Sequence, residues 1–182
     1  VTLSRFYTAT KQQDKAIKLL TDSQSTLSDN PEGYRLLGEY YLASGDVDKG
    51  LAQFESLTKQ YPKDIATKKI YVELLLAKKR TDDASRVIDE ILKENKKDTD
   101  AQVLRARMMI DAGKGADAIP TLEGVIKQQA DNAGAHLQLG RAMESTGSPD
   151  RAESEYREAI RLSEERAAGD DALAVGADAF RV

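Results

Sequence analysis

Gly38 and Gly140 lie 102 residues apart, three periods of 34, and each follows a leucine inside a similar phrase, YRLLGEYYLASGD from Tyr34 and HLQLGRAMESTG from His136. A fixed spacing of this kind constrains the fold more than any single motif, because each copy must solve the same packing problem. From Gly38 the period passes through Val72, Ala106 and Gly140. Gly50 belongs with Ala16, Ala84, Ala118 and Ala152, and Phe54 with Leu20, Ile88, Leu122 and Tyr156. Leu57 aligns with Ile91, Val125 and Ala159, Ser23 being the exception, and Tyr41 with Tyr7, Leu75, Met109 and Met143. Size or polarity is kept in all these columns without an insertion.

Within a copy the apolar residues step by three and four, as in Leu37, Tyr41 and then Gly50, Phe54, Leu57, which predicts two amphipathic helices. Turn signals separate them at Ser44-Gly45-Asp46, Arg80-Thr81-Asp82, Ala112-Gly113-Lys114-Gly115 and Thr146-Gly147-Ser148-Pro149. Asn30-Pro31 and Ser148-Pro149 each place a capping residue before a proline at the first helical position, where a missing N–H costs nothing. Each period therefore reads as two antiparallel helices. Gly38 or Ala106 on the first helix is expected to admit Gly50 or Ala118 of the second, with Phe54, Ile88, Leu122 and Tyr156 filling the space between units. Pro120 falls inside a second helix, which should start late, near Asp117, or bend.

A helix–turn–helix of this length with Leu-Gly, a following Tyr, a small residue, an aromatic and a Pro resembles the tetratricopeptide repeat. The unit 31–64 carries Tyr34, Leu37, Gly38, Tyr41, Phe54 and Pro62 in the family's places, with Gly50 where Ala is usual. The units 65–98, 99–132 and 133–166 keep the small and apolar columns. Lys68, Gln102 and His136 replace the residue matched by Tyr34, and Lys96, Ala130 and Glu164 replace the closing proline. Residues 1–30 fit a truncated first unit. Residues 167–182 read as a C-terminal capping helix, opened by Gly169-Asp170-Asp171 with Leu173, Ala177 and Phe180 on one face, or as the start of a sixth unit. The resemblance implies an all-α, right-handed superhelical solenoid that acts as a protein-interaction scaffold. Pentatricopeptide repeats, the nearest rival, have a period of 35 and an RNA-binding role that calls for basic charge.

Charge agrees with that choice. Lys and Arg total 27 against 31 Asp and Glu, a formal net charge of −4, which argues against broad nucleic-acid binding. There is no cysteine and one histidine, so thiolate sites and histidine pairs or triads cannot form within the chain. His136 takes Tyr34's place in its unit and reads as a packing residue. The glycines between Gly113 and Gly124 follow no strand and make no phosphate loop. No catalytic residue, metal or cofactor is expected. No apolar run approaches the roughly 18 residues a membrane span needs. A start at Val1 is expected to mark an excised or processed fragment whose targeting segment is missing, leaving cytoplasm and periplasm or cell envelope both open.

In the resembled family the first helix of each unit lines a concave groove. By period, the groove columns are Arg35, Lys69, Val103 and Leu137; Arg5, Glu39, Glu73, Arg107 and Arg141; and Leu42, Leu76, Ile110 and Glu144. Five cations on an acidic chain predict a peptide or protein partner bearing carboxylates. Arg35 with Glu39 and Lys69 with Glu73, four apart, can instead neutralise each other, so both readings stay open in the first half. Arg107 and Arg141 are expected to lack such partners. The column Leu36, Ile70, Leu104 and Gln138 has no Asn, which argues against the chaperone-tail binding known in the family. Self-association through the solenoid ends is a further expectation. So is a role as the recognition arm of a larger enzyme, or in a bacterial export or exopolysaccharide envelope system.

Overall fold

The computed structural model describes residue 7 and residues 9–179, with side chains as far as residue 168. Among the described residues the regular elements are helices: α1 (Gln13–Thr26), α2 (Pro31–Ala43), α3 (Val47–Gln60), α4 (Ile65–Ala77), α5 (Thr81–Glu94), α6 (Thr99–Asp111), α7 (Gly115–Gln128), α8 (Ala133–Ser145) and α9 (Pro149–Ala179). The chain forms two compact units, Val1–Ile91 and Leu92–Val182, the boundary falling in the last turn of α5.

In the first unit, Leu42 meets Gly50 while Gly38 meets Phe54, so contacts rise along α2 as they fall along α3 and the pair is antiparallel. A Cβ on Gly38 would stand 2.8 Å from the Phe54 ring, and Phe54, Leu57, Leu75, Ile88 and Ile91 are fully buried around such pairs. Each side chain of this size contributes about 1.5–3 kcal/mol when withdrawn from water. In the second unit Ala106, Ala118, Leu122, Val125, Leu139, Met143 and Ala152 form one core. There a Cβ on Gly140 would lie 2.6 Å from the Tyr156 ring. The aromatic rings thus press on the glycines of their own pairs, a role the sequence reading gave to the space between units. Where the second helix carries only Ile88 or Leu122, the first can carry Val72 or Ala106, both fully buried. Tyr41, expected in the same interior slot as Met143, is only half-buried and lies under Lys49 Nζ at 5.5 Å.

Each first helix closes in the same way. Gly45, Gly113 and Gly147 adopt φ of 82°, 77° and 79°, and the two N–H groups at each end reach back three and five residues, as in Asp46 N to Tyr41 O at 2.8 Å. This double closure satisfies the last carbonyls and needs a left-handed residue. Lys79 takes that conformation at φ 58° without glycine's freedom, so the turn sits at Lys78–Arg80 and Thr81 already opens α5. The sequence reading placed the turn two residues late because no glycine marked it.

The joints between pairs are fixed from the other side. Asn30, Asp64, Asp98 and Asn132 stand one period apart, and each accepts a backbone N–H from the helix it precedes: Glu32 and Gly33, Thr67, Ala101 and Ala135. Such caps supply acceptors for N–H groups that no helix turn can satisfy. The next position in the series is Arg166, which has no acceptor to offer. There α9 runs on without interruption to Ala179, so no separate helix begins at Gly169. Ala177 lies within this helix, while its side chain and that of Leu173 lie outside the described ones and Phe180 outside the described residues. Pro120 sits within α7, which starts at Gly115 rather than late. Its ring removes the N–H that would have bonded the Ala116 carbonyl.

Candidate functional site

Two polar clusters and one apolar groove stand out, and each is built by the repeat. In the first unit Tyr34 stacks on Tyr61, with centroids 3.9 Å apart and planes within 4°, while its hydroxyl donates to Asp64 Oδ2 at 2.6 Å. Burial, then this bond to a carboxylate, pushes the Tyr34 hydroxyl up to about 12. Burial raises Asp64 in turn, but hydrogen bonds from Thr67 and Tyr34 outweigh it and hold its carboxyl below the usual range. Arg35 is mostly buried, 3.8 Å from Asp64 and 4.0 Å from Glu39, and its Nε has no hydrogen-bond partner. Arg35 thus has two carboxylates, Asp64 and Glu39, within 4.0 Å. Lys69 is half-buried and Glu73 exposed, and each is engaged in an interaction.

In the second unit Arg141 donates through Nη2 to Asp111 Oδ1 at 2.7 Å and through Nη1 to Gln138 at 2.8 Å. Arg107 Nε lies 3.9 Å from the other Asp111 oxygen. The expectation that these two arginines lack partners is therefore corrected: Asp111 stands between them. It is four residues after Arg107, so the missed signal was the i,i+4 spacing already used at Arg35 and Lys69. All three side chains remain 29–41% exposed, where an ion pair is worth only about 0–1 kcal/mol. Glu144 accepts from Tyr156 at 2.7 Å, and burial, followed by that bond, raises the Tyr156 hydroxyl to about 12. Leu104 and Gln138, read as groove-facing, are buried. Arg5 lies outside the described residues.

His136 is buried between two acceptors, Glu155 Oε2 at 2.7 Å from Nδ1 and the Ala130 carbonyl at 3.1 Å from Nε2. The neutral ring could donate to only one of them. It ties α8 to the preceding joint and to α9, which is a structural role. Among the described residues there is no group of three or more His, Asp or Glu able to hold a metal ion, and no helix long and apolar enough to cross a membrane.

The apolar groove, about 680 Å³, runs between α8 and α9 along Leu137, Tyr156, Ala159, Ile160, Ser163 and Ala167. Leu137 is 44% and Ile160 58% exposed. One period upstream, Val103 and Ile126 are packed against the core of the same unit.

A tetratricopeptide repeat family model matches residues 41–108 and 109–174, well over half of the chain. A thermophilic TPR protein of Thermus thermophilus is similar in structure at TM-score 0.67 and 18% identity, covering 90% of this chain and 89% of its own. A MamA structure from Desulfovibrio magneticus aligns at TM-score 0.64 and 15% identity over 90% and 93%. A tetratricopeptide repeat protein from Parabacteroides merdae aligns at TM-score 0.66 and 17% identity, over 90% of this chain and 65% of that one. No curated protein sequence matches the chain. At these identities the structural likeness speaks for the fold, and the repeat match decides the family: the chain belongs to the tetratricopeptide repeat family.

Proposed function

We propose that the chain is a non-catalytic interaction scaffold, and that the exposed face of α6 and α8 holds an extended peptide carrying a carboxylate beside an apolar side chain. The observation that carries this is the Arg107–Asp111–Arg141 cluster, which sets two guanidiniums within 4 Å of one carboxylate at a partly exposed surface on a chain of net charge −4. Leu137, on α8 one turn before Arg141, is exposed beside it and supplies the apolar contact. Guanidinium forks suit carboxylates in geometry as well as in sign. Asp111 is then a placeholder: an incoming carboxylate competes with it for the arginines, which keeps each contact weak and favours several contacts over one.

Selection from a displayed random-peptide library tests the reading. Recovered peptides should be enriched in Asp or Glu beside an aliphatic or aromatic residue. Their affinity should fall with added salt and drop at least tenfold in Arg107→Glu/Arg141→Glu. Peptides without acidic bias, or with unchanged affinity for the reversed protein, would contradict it.

A further inference from the structure

By period, residues 167–179 stand where a further first helix would, although they continue α9. The first helices of the four preceding pairs are 13 residues long and begin at Pro31, Ile65, Thr99 and Ala133. One more period gives residues 167–179, the last described stretch of α9. The register carries over as well: Gly169 falls in the column of Ala101 and Ala135, Leu173 in that of Leu37 and Leu139, and Ala174 in that of Ala106 and Gly140. The groove on Leu137 and Ile160 is the matching seat, because Val103 and Ile126 in the same columns are partly buried against the core where a next pair follows. It continues the pair-on-pair interface already formed inside the second unit. Without a cap at Arg166 the chain does not turn, and the straight helix carries the segment roughly 20 Å beyond the last packed turn, away from its own groove.

We infer that the groove between α8 and α9 is a docking site for a second copy of this chain, filled by that copy's residues 167–179 in a reciprocal exchange. A two-fold pair fills both grooves at once and covers Leu137, so the apolar contact of the peptide site proposed above is open only in the monomer. Each copy gives the helix its own joint cannot fold back.

The repeat supplies the reporter. A Cβ on Gly115 would stand 3.3 Å from Ser145 Cβ, close to the spacing of a disulfide. One period on, that pair is Pro149 and Ala179. In a straight α9 these two are roughly 45 Å apart within one chain, and the chain has no native cysteine to interfere. Pro149→Cys/Ala179→Cys, oxidised mildly and run without reductant, should migrate at twice the monomer mass. Cross-linking within one chain would overturn the exchange in favour of closure onto its own groove, and no cross-link would overturn both. Sedimentation of the unmodified protein gives an answer independent of those substitutions. It should show a dimer whose fraction falls several-fold in Arg166→Asn, which restores a cap and lets the segment fold back. A natural chain that sediments only as a monomer at tens of micromolar would overturn the proposal.

Discussion

The pairs α2–α3 and α8–α9 are the same object inside and different objects at their exits. Gly38 lies under Phe54 and Gly140 under Tyr156, with added-Cβ distances of 2.8 and 2.6 Å. After α3, Tyr61 stacks on Tyr34, Tyr34 bonds Asp64, and Asp64 caps α4. In the other pair His136, in the first turn of α8, occupies Tyr34's column but reaches backward to Ala130. Residues 163–166, Ser-Glu-Glu-Arg, stay helical and exposed. Packing inside a pair is thus separable from the decision to begin another one, which rests on a few polar atoms at the joint.

The interior half of that comparison breaks most forcefully. Gly140→Ala places a methyl against the Tyr156 ring and should cost about 1–3 kcal/mol, as overpacking does. Tyr156→Leu recreates the pairing seen at Ala106 and Leu122, so the double variant should lose less than the sum of the singles. Urea unfolding of the four proteins measures the coupling, and strict additivity would show that the two columns do not meet as described.

Exits come next in size. Asn132→Ala removes the cap that Ala135 N–H uses at 2.9 Å and should lower stability by about 1 kcal/mol. At the other turn of the repeat, Lys79→Gly should raise it by about 1 kcal/mol by relieving a left-handed lysine. Urea midpoints at constant slope decide both, and a neutral result at Lys79 would remove the claim of strain there.

Much of this was legible in the sequence, and the limits are physical. Small and apolar columns are visible because steric demand at a helix crossing leaves few choices, so Gly38, Phe54, Ala84, Ala118 and Ala152 could be placed by counting. The polar partners were harder. Asp64 and Asn132 announce themselves only once their column is followed to Arg166, and Asp111 only when the spacing test is applied to both arginines. That Tyr34 locks the joint ahead while His136 holds the one behind depends on side-chain reach, which spacing does not encode.

The tyrosines give a smaller effect with a definite sign. Tyr34 and Tyr156 have folded values near 12, above the ordinary value of about 10. The stability they contribute is full below about pH 10 and is lost as pH rises toward 12. Tyr34→Phe should flatten part of that alkaline loss, followed by circular dichroism. Asp64 is depressed, so its contribution is present above about pH 4 and disappears as pH falls through its lower folded value. The smallest change is expected at Arg141→Ala, under about 1 kcal/mol because its pair with Asp111 is exposed to solvent.

The central claim is that the residue closing each period decides whether the chain turns. The direct measurement is the spin–spin distance between labels on Pro149→Cys and Ala179→Cys, in protein diluted into excess unlabelled chain. The natural joint should give roughly 45 Å, the length of an unbroken α9. With Arg166→Asn added, the labels should move into short-range dipolar contact, as Gly115 and Ser145 are placed one period earlier. A distance that stays near 45 Å with the cap restored, or is already short without it, would contradict the account.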